Sequence, residues 1–327
     1  MVKIAVDTAG GDHGPGTTVY GASLAMRDNA GLECLFFGDQ SQIEAALPGF
    51  ADTSRMEIIA ADEVITDEDD PLRAVRRKKD STIVKGLKAV AEGEADAFVS
   101  AGNSGAIFAG SVSIIGQNPN VTRPASVTVL PTVSESTPHY LIIDSGANIA
   151  AKPEHLAQYG RVGSKVAEQL LQAENPRVGL LNIGSESTKG NAFTKETFQL
   201  LSADEDLNFT GNVEPHTLLG GTHEVVLTDG FTGNIMLKAV EGTAGILMHD
   251  LLEKIKANSS LAENDEKMME DLMYSYINRY TNQDIGGGFI LGIKAPVVIT
   301  HGSAGEMMFK HSVEMGAELS KSIIFQR

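Results

Sequence analysis

The chain has a single cysteine, Cys34, so neither a disulfide framework nor a cysteine-based zinc cluster is open to it. Cys34 sits in the apolar run Leu32 to Phe37 and reads as a buried structural thiol, not a nucleophile. Basic residues are scarce. The 26 Lys and Arg against 43 Asp and Glu leave a formal net charge of -17, which argues against a nucleic-acid binder, because a phosphate backbone needs a basic surface. No apolar stretch approaches the roughly 20 residues that span a bilayer. The opening MVKIAVD is a strand pattern without signal-peptide layout, so the expected location is cytoplasmic, at most peripheral on the inner face of the plasma membrane. Also missing are the G-x-G-x-x-G spacing of a dinucleotide site, the G-x-S-x-G nucleophile elbow, linker composition and short repeats. With 327 residues, 42% of them hydrophobic, the chain can bury a large core. One α/β unit over residues 1–327 is expected, with two lobes around a cleft.

What is present is a recurring strand, glycine-bearing polar loop and helix. The fullest copy is RVGLLNIGSESTKGNAFTK, Arg177 to Lys195. Val178, Leu180, Leu181 and Ile183 suit a strand buried on both faces. Gly184 ends the run, Ser185 to Asn191 bring hydroxyls and the Lys189 ammonium, and Thr194 is placed to cap a helix over 195–201. A phosphate suits such a loop, although taken singly it reads more readily as an ordinary surface connection. The design recurs. Ala95 to Ala106 runs from a strand into Gly102, Asn103, Ser104 and Gly105, whose amides and side chains can face an anion or a developing oxyanion. Tyr140 to His155 passes Ser145 and Asn148 to Lys152, with Pro153 opening a helix to about Gln172. Glu224 to Lys238 passes Asp229 to Asn234. These loops are expected along one sheet edge, at the strand ends where open α/β sheets bind ligands. The first strand, Lys3 to Val6, adds DTAGGDHGP, with Asp7, Asp12 and His13 on one turn. His13 is a candidate general acid or base, or else a loop histidine bonded to Asp12.

Past strand patterns at 33–37 and 56–59, an acidic run over 62–70 gives way to Arg73, Arg76, Arg77, Lys78, Lys79, Lys85 and Lys88. In so acidic a chain this is either a landing site for an anionic ligand or acidic partner, or a solvated helix face paired with the acidic run. Residues 242–257 and 261–280 read as amphipathic helices joined by a polar segment over 258–266. The hairpin over 242–281 is expected to protrude and meet its twin in a dimer, the alternative being intramolecular core. A last strand over 295–300, then His301, then a helix over 306–324 close the chain. His301 either reaches the cleft or caps that helix.

Together DTAGGDHGP, RAVRRKKDST, ADAFVSAGNSGA, DSGANIAAKPEHLAQYG, NPRVGLLNIGSESTKGN, VVLTDGFTGN and GIKAPVVITHGSAG, in order along nearly the whole chain, closely resemble the bacterial phosphate acyltransferases of phospholipid synthesis, the PlsX family. The resemblance implies transfer of a long fatty acyl group from acyl carrier protein to inorganic phosphate, without metal or organic cofactor. It further implies a homodimer, loose membrane attachment and a downstream glycerol-3-phosphate acyltransferase. The implied fold is a three-layer, mostly parallel sheet like that of the isocitrate and isopropylmalate dehydrogenases and phosphotransacetylases. The polar tip AENDEK, however, lacks the apolar residues and positive charge that would favour anionic lipid.

Phosphate is already an anionic nucleophile, so the site must position it, stabilise the thioester oxyanion and help the thiolate leave. On residue chemistry, and apart from the resemblance, Lys152, Lys189 and Asn191 with Gly102 and Gly105 are assigned to phosphate. Asn103, Ser104 and Asn148 are assigned to the oxyanion and His13 to the leaving thiol, with Asp7, Asp229 and Asn234 orienting them. Arg73, Arg76, Arg77, Lys78 and Lys79 are assigned to carrier-protein docking. Rival readings are a phosphotransacetylase acting on coenzyme A thioesters and, more weakly, a decarboxylating dehydrogenase whose metal would need Asp7, Asp144 and Asp229 to converge.

Overall fold

A computed structural model describes residues 1–257, 263–280 and 285–325. The first half comprises β1 (Val2–Asp7), α1 (Gly14–Asp28), β2 (Leu32–Gly38), α2 (Gln40–Ala46), β3 (Met56–Ala60), α3 (Pro71–Arg77), α4 (Thr82–Glu92), β4 (Ala97–Ser100) and α5 (Ser104–Gly110). Next come β5 (Ala125–Pro131), β6 (His139–Ile143), α6 (Pro153–Leu170), β7 (Val178–Leu181), α7 (Ala192–Ser202), β8 (Phe209–Val213), β9 (Val225–Leu227) and the long α8 (Gly230–Lys256). The remaining elements are α9 (Glu263–Tyr280), β10 (Gly288–Leu291), β11 (Val297–Ile299) and α10 (Glu306–Leu319).

The strands form one sheet in the order β3-β2-β1-β4-β11-β10-β5-β6-β9-β7-β8. Pairing is parallel from β3 to β11 and again from β6 to β8, while β5 is antiparallel to both β10 and β6, and β10 to β11. The two parallel sets therefore run in opposite directions. Side chains alternate faces along a strand, which shows where the helices lie. A Cβ on Gly86 of α4 would run into Phe98, whereas one on Gly316 of α10 would meet Val99 and Ala97 on the other face. Likewise Gly163 of α6 packs on Ile143 and Val225, while Met236 of α8 joins the core of Tyr140, Ile142 and Val226. Helices thus cover both faces of both halves, and the strands, buried twice over, read as near-continuous apolar runs. Cys34 is 1% exposed on β2, and burial pushes its thiol up to about 12, as suits a structural cysteine.

The structure corrects several expectations. The recurring loops do not share one edge, since the opposed strand sets bring the loops after β4 and β11 to face the loop after β6 across the sheet's antiparallel middle. Strand β7 stops at Leu181, and Ile183, expected in it, is 81% exposed. The helix after it starts at Ala192 and is capped by Asn191, not Thr194. Helix α8 runs unbroken from Gly230, twelve positions before the expected start, and α10 ends at Leu319, not 324. Of the expected polar connector, residues 263–266 belong to α9, and residues 258–262 lie outside the described set, as does 281 at the end of the expected hairpin.

Candidate active site

The site is assembled where β6 ends. Asp144, fully buried, gathers donors: its Oδ1 accepts from the amides of Ser126 (3.2 Å), Gly146 (2.9 Å) and Ala147 (2.8 Å). Its Oδ2 accepts from the amide and the Nδ2 of Asn148, both at 2.8 Å. The loop this makes is the seat of α8. The Gly230 amide donates to the Asn148 carbonyl at 2.9 Å, and a Cβ on Gly230 would lie 2.7 Å from the Asn148 nitrogen. One turn on, a Cβ on Gly233 would run into the Asp144 carbonyl. Asp229 caps the helix, its Oδ1 accepting from the amides of Phe231 and Thr232 at 3.0 Å each.

Seated this way, α8 lies between two cavities. The first, about 500 Å³, is the more polar of the two and lies between the two strand sets. Asn234, Lys238 and Glu241 line it from α8, a spacing of four and three that keeps them on one helical face. Ser104 and Gly105 reach it from the β4 side, Ser126, Thr128 and Ser145 from its floor, and His301 from the end of β11. The floor hydroxyls form a chain: Thr128 Oγ1 donates to Ser145 Oγ at 2.9 Å, and Ser145 Oγ donates to Ser126 Oγ at 3.1 Å. Asn234 Nδ2 donates to the Ser145 carbonyl at 3.3 Å. His301 Nε2 lies 3.7 Å from Glu241 Oε1, and that carboxylate raises the imidazole's pKa against the opposing effects of burial and Lys238.

The second cavity, about 1020 Å³, is apolar and stands at the upper end of the roughly 300–1,000 Å³ typical of small-ligand sites. Leu181, Phe193, Met236, Val240, Leu247 and Met248 form its walls, while Asn182, Asn191 and Asp229 supply polar groups.

Of the residues given catalytic or phosphate-binding roles from the sequence, the structure brings Ser104, Gly105 and Asn234 into the polar cavity and Asn191 and Asp229 into the apolar one, while the others line neither; of the two readings of His301, it reaches the polar cavity. Asn103 caps α5, its Oδ1 accepting from Ala106 at 2.9 Å, and its Nδ2 donates to the Thr66 carbonyl at 3.0 Å. Asn148 gives its Nδ2 to Asp144 and to the Pro124 carbonyl, and its Oδ1 accepts from Arg123. Both side chains hold the backbone in shape. Lys152 and Lys189 are exposed, at the start of α6 and on the loop after β7. His13 is exposed at the start of α1 and makes no side-chain capping bond. Gly102 packs against Gly10: a Cβ on Gly10 would lie 2.6 Å from the Gly102 nitrogen, a close approach that ties the β1 and β4 loops together. Asp7 sits in that junction, accepting from Ser100 Oγ at 2.6 Å, and burial raises its pKa. Asp7, Asp144 and Asp229 do not converge, each being committed to local donors, and no group of three or more potential metal ligands occurs among the described residues. His301 does not cap the last helix, whose cap position is Gly305. Lys238 and Glu241 were missed by sequence reasoning, although their spacing from Asn234 was the available signal.

The basic segment divides. Lys78 Nζ lies 2.6 Å from Asp69 and Lys85 Nζ 2.7 Å from Asp80, and Lys79 donates to the Val75 carbonyl. Arg73, Arg76 and Arg77 of α3 remain exposed, beside Leu72 at 61% exposure. Helix α3 abuts the polar cavity, since a Cβ on Gly105 would lie 2.8 Å from Pro71 Cγ.

The seating of α8 is testable by substitution. Gly233→Ala should lower stability by about 1–3 kcal/mol, because the new methyl meets backbone that cannot yield. Gly242→Ala on the same helix, with nothing within 4 Å, should be neutral or stabilise by up to about 1 kcal/mol. Urea midpoints for the two variants check this.

A family model described as fatty acid synthesis protein matches residues 2–327. The chain is similar to the phosphate acyltransferase of Bacillus pumilus, 43% identical over 97% of this chain and 94% of that protein. The phosphate acyltransferase of Enterococcus faecalis is 41% identical over 95% and 93%, and that of Streptococcus pneumoniae 43% over 93% and 91%. Among solved structures, the EutD phosphotransacetylase from Staphylococcus aureus superposes with a TM-score of 0.62 at 16% identity, covering 98% of this chain and 94% of that one. A Streptococcus pyogenes phosphotransacetylase does so at 0.62 and 18%, covering 97% and 94%, a likeness of fold. An acidic α/β chain with a polar cavity between opposed strand sets and an apolar one behind α8 therefore belongs to the fatty acid synthesis protein family, the phosphate acyltransferases.

Proposed function

We propose that this acyltransferase moves a long-chain fatty acyl group from acyl carrier protein to inorganic phosphate, forming acyl phosphate. The observation that carries this reading is the pair of cavities that share α8: the helix gives Asn234, Lys238 and Glu241 to a polar chamber and Met236, Ala239 and Val240 to an apolar one. The polar chamber suits phosphate and the thioester group. Lys238 and the Ser126 hydroxyl, whose proton the Thr128-to-Ser145-to-Ser126 chain leaves uncommitted, hold the anion there. Lys238 thus takes the part first assigned to Lys152 and Lys189, and Ser104 alone keeps the oxyanion role first shared with Asn103 and Asn148. The apolar chamber suits the acyl chain.

The exposed arginines of α3 suit an acidic carrier protein. Helices α8 and α9 support a homodimer: Leu252, Ile255 and Met273 are buried between them, while Ile246, Leu251, Met268 and Leu272 are 46–72% exposed. Such outward apolar rows suit a second copy. No helix among the described residues is long and apolar enough to cross a membrane. A peripheral membrane contact and hand-off to a glycerol-3-phosphate acyltransferase complete the proposal.

Phosphate-dependent thiol release from palmitoyl-acyl carrier protein and from palmitoyl-coenzyme A, measured in parallel without added metal, tests the reading. Release favouring the carrier protein supports it; release from the coenzyme A ester alone makes the protein a phosphotransacetylase instead. Arg73→Glu with Arg76→Glu should raise KM for the carrier-bound donor about tenfold or more, the loss of charge complementarity at a rim, and leave the coenzyme A ester little changed. Val240→Trp should shift preference towards shorter acyl chains, measured by competing octanoyl and palmitoyl donors.

A further inference from the structure

His301 is the imidazole of the polar cavity, and it sits where the two halves of the protein meet. Its backbone is fixed on both sides: the Thr300 amide donates to the Ser100 carbonyl at 3.0 Å, and the Ala304 amide donates to the His301 carbonyl at 3.0 Å. Its ring is turned towards α8, where Glu241 Oε1 stands 3.7 Å from Nε2. The side chain is nevertheless 56% exposed, and it lines the polar cavity. The charged groups around it are Glu241 and Lys238 on α8 and, on the β1–α1 loop, Asp12, whose amide donates to the Gly302 carbonyl at 2.8 Å. A carboxylate beside one ring nitrogen can hold an imidazole so that its other nitrogen is left for a substrate.

We propose that His301 is the general acid that protonates the departing thiol, with Glu241 as its positioning residue. The proposal rests on the acyl transfer proposed above. In the step, a phosphate oxygen bonds to the thioester carbonyl carbon and the C–S bond breaks, its electron pair leaving on sulfur. The Nδ1 proton of the imidazolium passes to that sulfur. The ring then recovers a proton from the attacking hydrogen phosphate, so that thioester and hydrogen phosphate become acyl phosphate and free thiol. His13, exposed outside both cavities, has no part in this step.

The test compares palmitoyl-acyl carrier protein with the palmitoyl thioester of nitrothiophenol, whose thiolate leaves without a proton. His301→Gln should slow phosphate-dependent turnover of the carrier thioester about a hundredfold or more while slowing the activated ester only a fewfold. Because Glu241 raises the imidazole's pKa, wild-type turnover of the carrier thioester should be full at lower pH and fall as pH rises through that raised value. His301→Gln should lose this alkaline limb, and Glu241→Gln should move it to lower pH. Thermal unfolding of both variants guards against misfolding. Equal losses on the two donors, no loss, or an alkaline limb that survives in His301→Gln overturns the proposal alone. Wild-type protein that releases no thiol in phosphate overturns the acyl-transfer reading with it.

Discussion

Asp144 is the constraint on which the rest depends. A fully buried carboxyl at the end of β6 has no water to bind, so its oxygens must be satisfied by protein donors, and the chain folds back on itself to supply them from Ser126, Gly146, Ala147 and Asn148. The loop made by this gathering leaves room for a helix only where that helix has no side chain, which is why α8 opens with Gly230 and presents Gly233 one turn later. The position of α8 follows from hydrogen bonds made beneath it.

From that seat the helix serves two chemistries. Its residues alternate, at helical spacing, between a face that carries Asn234, Lys238 and Glu241 and one that carries Met236, Val240 and Leu247. A rigid element shared by two chambers fixes their relation more firmly than two independent loops would, and the long unbroken run from Gly230 to Lys256 then continues into the packing against α9. Opposed strand directions complete the arrangement. Because β5 is antiparallel to β10 and β6, loops from both halves reach the same chamber, and His301 from one half stands against Glu241 from the other.

Several residues whose types invite catalysis are structural here. Asn103 and Asn148 use their amides to hold backbone, as caps and loop ties, and Asp7 ties Ser100 to the β1 turn. Asn and Asp bond readily to nearby main chain, so the same sequence signal marks a turn or a donor aimed at substrate. Lys78 and Lys85 illustrate the point for charge: each is neutralised by an aspartate brought close by the fold, whereas Arg73, Arg76 and Arg77 are left exposed.

By itself the sequence determined the composition of the elements, the α/β class and the family. Apolar runs buried on both faces, glycine-marked strand ends and long ordered motifs are local properties, legible without knowing what lies opposite them. It located the loop after β4, Asn234 and the amphipathic rows of α8 and α9 for the same reason. The tertiary structure alone decided strand direction, the choice of His301 over His13 for the polar cavity, and the apolar chamber behind α8. Strand order sets which loops face one another, and no local pattern encodes it. A chamber formed from β7, α7 and α8 exists only once segments some sixty residues apart are packed together.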